Sequence, residues 1–170
     1  SQDMLSQIDG LPEQLAAAWA EGQSRPLPSI DPRQISRVVI AGLGGSAIGG
    51  ELVAAYSLPL SKIPVVVHRD YGMPAFAQGL ETLVIASSHS GSTEETLDGV
   101  EAALRAGCTV MAVTTGGELA RRAAQHETPL WIFAHAGQPR AAIGFSFGLL
   151  LALLTRLGVI PDPSADLTES

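Results

Sequence analysis

Five short, nearly continuous apolar runs alternate with segments of helical pattern along most of this chain. Runs of this kind, rich in Val and Ile, are typical of strands buried on both faces of a parallel sheet. The predicted strands are Arg37–Gly42, Ile63–Asp70, Glu81–Ser87, Cys108–Thr115 and Thr128–Ala134. The predicted helices are Ser46–Tyr56, Thr93–Ala106, Glu118–Gln125 and Arg140–Leu157.

This alternation predicts an α/β fold, a three-layer αβα sandwich around a mostly parallel five-stranded sheet that is doubly wound as in flavodoxin. The length of 170 residues suggests one domain. Residues 1–36 form a predicted helical extension, in which LPEQLAAAWAEG reads as an amphipathic helix outside the sheet. Residues 37–160 form the predicted domain, and the polar, proline-bearing residues 161–170 form a predicted linker.

Charge and cysteine content narrow the possible partners. A net charge of −7 argues against nucleic acid, although helix N-termini could still hold a small anion locally. The one cysteine, Cys108, excludes an internal disulfide and a cysteine metal cluster, and we expect it to be a buried core residue. The longest apolar stretch, IGFSFGLLLALL, falls short of the ~20 residues that span a bilayer. We therefore expect no membrane partner and a cytoplasmic location.

The loops after the predicted strands should carry the ligand site, because open parallel sheets bind ligands at the carboxyl ends of their strands. These loops read GLGGSAIGG, SSHSGSTEET, TTGGEL and AHAGQPR. Ser and Thr side chains compete for backbone hydrogen bonds, so each loop alone could be a tight turn with a helix cap, with Thr93 as one N-cap. The concentration of hydroxyls in the second loop raises the alternative of an anion pocket.

Two of these loops open helices, and together they favour the anion pocket. Their hydroxyls and free backbone N–H groups lie at the same end of a parallel sheet and could converge on one anion. The residues predicted to bind a phosphate group are Gly45, Ser46, Ser88, Ser90, Gly91 and Thr93.

A dinucleotide site is an alternative reading of the first loop. Gly42-x-Gly44-x-x-Ala47 satisfies the loose dinucleotide pattern, and Asp70 ends the second strand where a ribose-binding acid would lie. This reading does not account for the hydroxyl-rich loop at Ser87–Thr96. The first loop is not a P-loop, because no Gly-Lys-Ser/Thr follows the glycines.

Taken together, GLGGSAIGG, SSHSGSTEET, TTGGELA and QPRAAIGFSFG resemble the sugar isomerase (SIS) domain, and more closely the bifunctional phosphoglucose/phosphomannose isomerases. The resemblance runs from about Val38 to Ile160. It implies aldose–ketose isomerisation of glucose 6-phosphate or mannose 6-phosphate to fructose 6-phosphate. It also implies that Ser46, Ser88, Ser90 and Thr93 hold the phosphate, that Arg140 lies at the C1–C2 end of the sugar, and that no cofactor or metal is needed.

The sequence departs from these isomerases in two respects. Family members often carry an aromatic residue where His89 stands, and we interpret His89 as a pocket wall rather than a catalyst. The family's glutamate base and ring-opening histidine come from a second SIS domain, so we expect this chain to be the N-terminal half of an isomerase and to lack most activity alone. A non-catalytic phosphosugar-sensing SIS module is the alternative.

The carboxylates and histidines of this chain do not replace the missing groups. A helix first turn explains Glu94 and Glu95 better than a catalytic role. We expect His68, His126 and His135 at strand or helix ends, exposed to solvent.

The last predicted helix bears on assembly. FSFGLLLALLTRL is apolar around most of its circumference, which predicts cover from a second SIS domain or a homodimer partner.

Overall fold

Five parallel strands form one sheet in the order β2–β1–β3–β4–β5, so the strand order reverses between β1 and β3. The structure, a computed structural model, describes residues 10–135 and 137–164. All five predicted strands are confirmed, with ends that shift by a residue or two. The strands are β1 (Arg37–Ala41), β2 (Val65–His68), β3 (Thr82–Ser88), β4 (Thr109–Thr114) and β5 (Leu130–Ile132).

Helices cover both faces of the sheet, which confirms the three-layer αβα sandwich. They are α1 (Leu11–Ser24), α2 (Gly44–Ser57), α3 (Glu94–Arg105), α4 (Gly117–Gln125) and α5 (Ile143–Arg156). In β1, Val38 and Ile40 join the apolar cluster under α1, α2 and α5, whereas Val39 and Ala41 join the cluster under α3 and α4. This alternation between two buried faces is why the strands read as continuous apolar runs.

The central strand β3 is buried along its whole length. It pairs with β1 on one side and β4 on the other, in register from Leu83 to Ala86 on both sides. Its last residues, Ser87 and Ser88, are still paired with β4 and buried. The hydroxyl-rich loop therefore starts inside the sheet rather than at its surface, and it emerges beside the loop that follows β1.

The region after β5 differs from the predicted helix Arg140–Leu157. A separate 3₁₀ turn, Pro139–Ala141, precedes α5, which begins only at Ile143. Ala142 lies between them with φ −103° and ψ 20°, outside the helical range, so the two segments do not merge. The predicted helix start was wrong for this reason, and Arg140 stands on a turn of its own.

Helix α5 is covered within this domain. Its leucines Leu149, Leu150 and Leu151 are buried, and both α1 and α2 pack against it. Because α1 covers α5, this helix is no longer a reason to expect a second SIS domain or a homodimer partner, and that partner stays a prediction. The sequence of α5 alone could not show this, since the packing depends on a helix more than a hundred residues earlier.

Close contact between α1 and α5 depends on glycine. A Cβ atom added to Gly148 would lie 2.7 Å from the Cβ atom of Ala18 and 3.0 Å from the carbonyl oxygen of Leu15. Trp131 of β5 donates its Nε1–H to the carbonyl of Pro26, just after α1, at 2.8 Å. The predicted extension thus shares a core with residues 37–160, and the domain boundary at residue 36 stays a prediction.

Two further predictions concern a membrane-spanning helix and the linker at the end of the chain. Among the described residues, no helix is both long enough and apolar enough to cross a bilayer. The predicted linker 161–170 falls mostly outside the described residues, which end at residue 164.

We predict that Gly148→Ala destabilises the domain. Overpacking costs about 1–3 kcal/mol, against a gain of roughly 1 kcal/mol in helix propensity, so the net loss should reach up to about 2 kcal/mol. Gly99→Ala in α3 is the matched control, because its Cβ would meet the flexible end of Met73 at 3.0 Å and would otherwise make ordinary contacts at 3.4 Å or more. Urea unfolding of both variants measures the difference, and equal free energies of unfolding would contradict the packing described for α1.

Candidate functional site

A cavity of about 240 Å³ opens at the carboxyl ends of β1 and β3, where the strand order reverses. The first turn of α2, the loop after β3 and the 3₁₀ turn form its walls. Within the described residues, no acidic side chain lines it. The lining residues are Leu43, Gly44, Gly45, Ser46, His89, Ser90, Thr93 and Pro139.

The loops after β1 and β3 are joined through Ser46. This residue lies in the first turn of α2 with 4% of its surface exposed. Its hydroxyl oxygen accepts a hydrogen bond from the backbone N–H of His89 at 3.0 Å. The glycine at position 44 has φ +56°, a left-handed conformation that other residues rarely adopt. The tight turn at Gly44 thus brings Ser46 within reach of the second loop.

Ser88 and Thr93 close the loop after β3 on itself. Their hydroxyl oxygens are 3.0 Å apart, and the Ser88 oxygen also accepts the backbone N–H of Gly91 at 3.1 Å. Ser88 is buried directly behind the cavity wall, and the Gly91 N–H points towards Ser88. Thr93 occupies the predicted N-cap position of α3, although its hydroxyl makes no capping bond to the helix.

Three of the four predicted hydroxyl residues therefore line one cavity: Ser46, Ser90 and Thr93. Ser90 is exposed and is the freest of the three to meet a ligand, its oxygen accepting only a local bond from the N–H of Ser92 at 3.2 Å. Both α2 and α3 direct their amino-terminal ends to this region, which supplies a positive field for an anion.

The 3₁₀ turn that carries Arg140 rests on the first turn of α2. A Cβ atom on Gly45 would lie 2.7 Å from the carbonyl oxygen of Pro139 and 3.3 Å from the Cα atom of Arg140. Only glycine permits this approach, so Gly45 acts through its small size as well as its backbone. The Arg140 side chain is exposed at the rim and does not line the cavity itself.

Two histidines meet beside the cavity, which the sequence analysis missed. The Nε2 atom of His89 lies 2.9 Å from the Nδ1 atom of His135, and both rings are half-buried. The prediction that His135 is exposed was wrong, because the loop after β5 folds back towards the loop after β3. His126 is exposed as expected, whereas His68 is half-buried at the end of β2, so the prediction that it is exposed was also wrong. The signal that could have predicted this contact is that β3 and β5 are parallel, so the loops that follow them leave the sheet at the same end.

Burial and the neighbouring histidine set the ionisation of His89. Removal from solvent is the main factor that lowers the pKa of His89, and the charge of His135 lowers it further. His89 therefore forms the wall of the cavity as a largely neutral ring.

Other candidate groups lie outside the site. Cys108 is buried as expected, and burial raises the pKa of its thiol. Glu94 and Glu95 lie in the first turn of α3, as expected. Asp70, considered for a ribose, accepts the backbone N–H of Tyr71 at 2.8 Å. Across the part of the chain that the structure describes, no group of three acidic, histidine or cysteine side chains could hold a metal ion.

Comparisons with known proteins identify relatives for most of the chain, although no family model matches it. It is 43% identical, over 98% of its length, to a bifunctional phosphoglucose/phosphomannose isomerase of Caldicellulosiruptor bescii, of which it covers 48%. It is 42% identical, over 65% of its length, to the protein of the same name from Thermoplasma acidophilum, of which it covers 33%. The chain thus spans less than half the length of these curated relatives.

A solved structure shows the same fold. Tagatose-6-phosphate ketose/aldose isomerase of Escherichia coli superimposes with a TM-score of 0.61 at 17% identity, over 97% of this chain and 46% of that one. At this identity the likeness concerns the fold.

The lowered pKa of His89 predicts a pH-dependent stability. The unfolded chain binds the proton more readily than the folded chain, so the free energy of unfolding rises with pH. This contribution is complete above the unfolded value of 6.5 and is lost as pH falls through the lower folded pKa. Urea unfolding at several pH values should show a steeper loss towards acid for the wild type than for His89→Phe. His126→Gln is the control and should keep the wild-type slope; identical slopes for all three proteins would contradict the assignment.

Proposed function

The chain is a SIS domain similar in sequence to part of the bifunctional phosphoglucose/phosphomannose isomerases, and from this we propose that it supplies the phosphate-binding half of such an enzyme. The whole protein would interconvert glucose 6-phosphate or mannose 6-phosphate with fructose 6-phosphate, in the cytoplasm. The observation that carries the proposal is the convergence of Ser46, Ser90 and Thr93 on one cavity between two helix N-termini.

The phosphate group would act as a handle rather than as a reacting group. Isomerisation moves a proton between C1 and C2, and binding energy at the remote phosphate holds those carbons in place. Hydroxyls and helix N-termini can bind a dianion without lysine or metal, since both direct partial positive charge at it. Ser88 and Gly91 support this site from behind, because Ser88 holds the Thr93 hydroxyl at the cavity wall.

Arg140 would stabilise the transition state. Isomerisation proceeds through an enediolate with negative charge near C1 and C2, which a positioned cation stabilises. The 3₁₀ turn places Arg140 at the rim of the cavity, beside Gly45, where a sugar extending from the bound phosphate would pass. A guanidinium suits this position because it presents several donors in a fixed plane.

The base and the ring-opening acid would come from a second SIS domain. Among the described residues no carboxylate lines the cavity, and proton abstraction needs a base within hydrogen-bonding reach of the substrate. An apolar strip beside the cavity suits a contact of this kind. Leu43, Ile48 and Leu52 on and before α2 are 39%, 41% and 46% exposed, and Leu43 itself reaches the cavity wall.

A phosphosugar-sensing module is the second candidate. The cavity without a carboxylate favours it for the chain taken alone, since binding needs no base. The two proposals differ in the activity of the whole protein, whereas both require the phosphate site.

We predict that Ser90→Ala weakens binding of fructose 6-phosphate by about tenfold, the effect of losing one hydrogen bond to a charged group. Isothermal titration calorimetry measures the affinity. Ser24→Ala is the matched control, because Ser24 is exposed at the end of α1 and bonds only the carbonyl of Glu21. Unchanged affinity in Ser90→Ala and in Ser46→Ala would place the phosphate elsewhere.

In the whole protein, Arg140→Ala should lower kcat by about 10²-fold or more, with little change in affinity for inorganic phosphate, because the enediolate charge exists only in the transition state. Arg140→Lys should restore part of the rate, since a point charge replaces a planar fork. Steady-state kinetics with both sugar phosphates tests this. A normal kcat in the alanine variant would remove Arg140 from the mechanism.

Ile48→Glu should disrupt the contact with the second SIS domain, because burying an unpaired carboxylate is costly. In the whole protein we expect a lower melting temperature and a large loss of isomerase activity, with the affinity for inorganic phosphate retained. Leu80→Glu is the control for an exposed leucine away from the strip, since Leu80 is 70% exposed before β3. Equal activity in both variants would show that the apolar strip makes no contact with the second SIS domain.

A further inference from the structure

The hydrogen-bonded pair His89 and His135 has no part in the function proposed so far. The two nitrogen atoms are 2.9 Å apart, and the rings meet edge to face, with centroids 5.1 Å apart at 81°. His135 also lies against the ring of Phe145 in α5, and His89 lies against Phe133 after β5. The pair is thus set in an aromatic wall that fixes both rings.

His89 connects the loops at this edge of the sheet. Its backbone N–H donates to Ser46 at the start of α2. Its carbonyl oxygen accepts the N–H of Thr115 at 3.3 Å and the hydroxyl of Thr115 at 2.7 Å, after β4. Its ring then bonds His135 after β5. One residue therefore ties the loops that follow β1, β3, β4 and β5.

His135 lies five positions before Arg140 in the chain. Beyond it, the 3₁₀ turn is held by the contact of Pro139 on Gly45 and by Gln14 of α1, which donates to the carbonyl of Ala141 at 2.9 Å. The segment that carries Arg140 is thus anchored on its carboxyl side by α1 and α2. Further towards its amino side, His135 is held by the bond to His89 and by its contact with the ring of Phe145.

We propose that His89 and His135 are positioning residues that hold the Arg140 segment against the anion cavity, and that protonation of both rings releases it. A neutral pair has one N–H between the two nitrogens, and so has a singly protonated pair, so the bond exists in both states. When both rings are protonated, each nitrogen carries a proton, no acceptor remains, and two like charges face each other. The proposal rests on the proposed function, which gives Arg140 its task.

Several charged side chains lie on the elements packed around the pair. The elements packed around it carry Glu94 and Glu95 on α3, Glu118 on α4 and Arg140 on the 3₁₀ turn at this end of the sheet. Glu118 is held by Arg121 and Arg122, whose hydrogen bonds lower its pKa to about 2. Only burial and His135 shift the pKa of His89. Burial and His135, rather than these carboxylates, therefore set the ionisation of His89.

The test compares three forms of the protein. His89→Phe keeps an aromatic ring but removes the bond. His89→Gln keeps a polar group near the Nε2 position but does not titrate near neutral pH. His126→Gln is the control, since His126 is exposed at the end of α4.

Calorimetry with fructose 6-phosphate and with inorganic phosphate separates positioning from phosphate binding. At about pH 7.5, His89→Phe should bind fructose 6-phosphate about tenfold more weakly, because a displaced Arg140 would no longer donate a hydrogen bond to the sugar, and His89→Gln should recover most of that loss. Affinity for inorganic phosphate should change less than about twofold, because the hydroxyls remain. Equal affinities for the sugar phosphate in all forms, or an equal loss for both ligands, would overturn the proposal.

The pH dependence gives a readout that a purely structural role would not change. From about pH 7.5 to about pH 5, the wild type and His126→Gln should lose affinity for fructose 6-phosphate more steeply than His89→Gln. The second ionisation of the ligand near pH 6 is common to all forms and cancels in the comparison. Parallel pH profiles would contradict release by protonation.

Nuclear magnetic resonance tests the pair without any ligand. The backbone amide signals of Arg140 and Ala141 should follow the titration of the two imidazoles in the wild type and stay constant in His89→Gln. If the amide signals of the wild type do not change as the imidazoles titrate, the proposal is overturned. If they follow as expected but no form binds a sugar phosphate, the positioning role stands and the proposed function fails.

Discussion

The parallel direction of all five strands is the constraint on which the rest of this structure depends. Because every strand ends at the same edge, the loops after β1, β3, β4 and β5 meet there although they are far apart in the chain. The cavity lies where the strand order reverses, between β1 and β3. A single antiparallel strand in the centre would have sent one of these loops to the opposite edge.

Hydroxyl groups at this edge serve the fold and the site together. The Ser46 hydroxyl accepts a bond from the neighbouring loop while it faces the cavity, and Ser88 positions Thr93 from a buried place at the end of β3. A hydroxyl can do both, because it has one donor and two acceptor positions. The cluster of serine and threonine in the sequence thus reflects a loop that is hydrogen-bonded to itself and leaves some hydroxyl capacity for a ligand.

An acidic protein can hold an anion here because the field at the cavity is local. Glu94, in the first turn of α3, accepts a hydrogen bond from Tyr71, and Glu118, in the first turn of α4, binds two arginines. Glu95 also lies in the first turn of α3, but neither it nor Glu94 lines the cavity. The first turn of α2 contains no acidic residue. Charge elsewhere on the surface is screened over about 10 Å at ordinary salt concentrations, so the helix N-termini decide the local potential.

The sequence by itself determined the fold class, the five strands and most helices, because buried parallel strands and amphipathic helices follow periodicities that a single sequence displays. It also determined which loops contain hydroxyls and that Ser46, Ser90 and Thr93 belong to one end of the sheet. Only the tertiary structure decided what depends on contacts between distant segments. His89 is hydrogen-bonded to His135, and α1 packs on α5. The Gly91 N–H donates to Ser88 instead of facing the cavity, and Arg140 lies on a 3₁₀ turn that is separate from α5. Local pattern carries no information on these outcomes, since each is set by the distance between residues that meet only when the loops and layers pack.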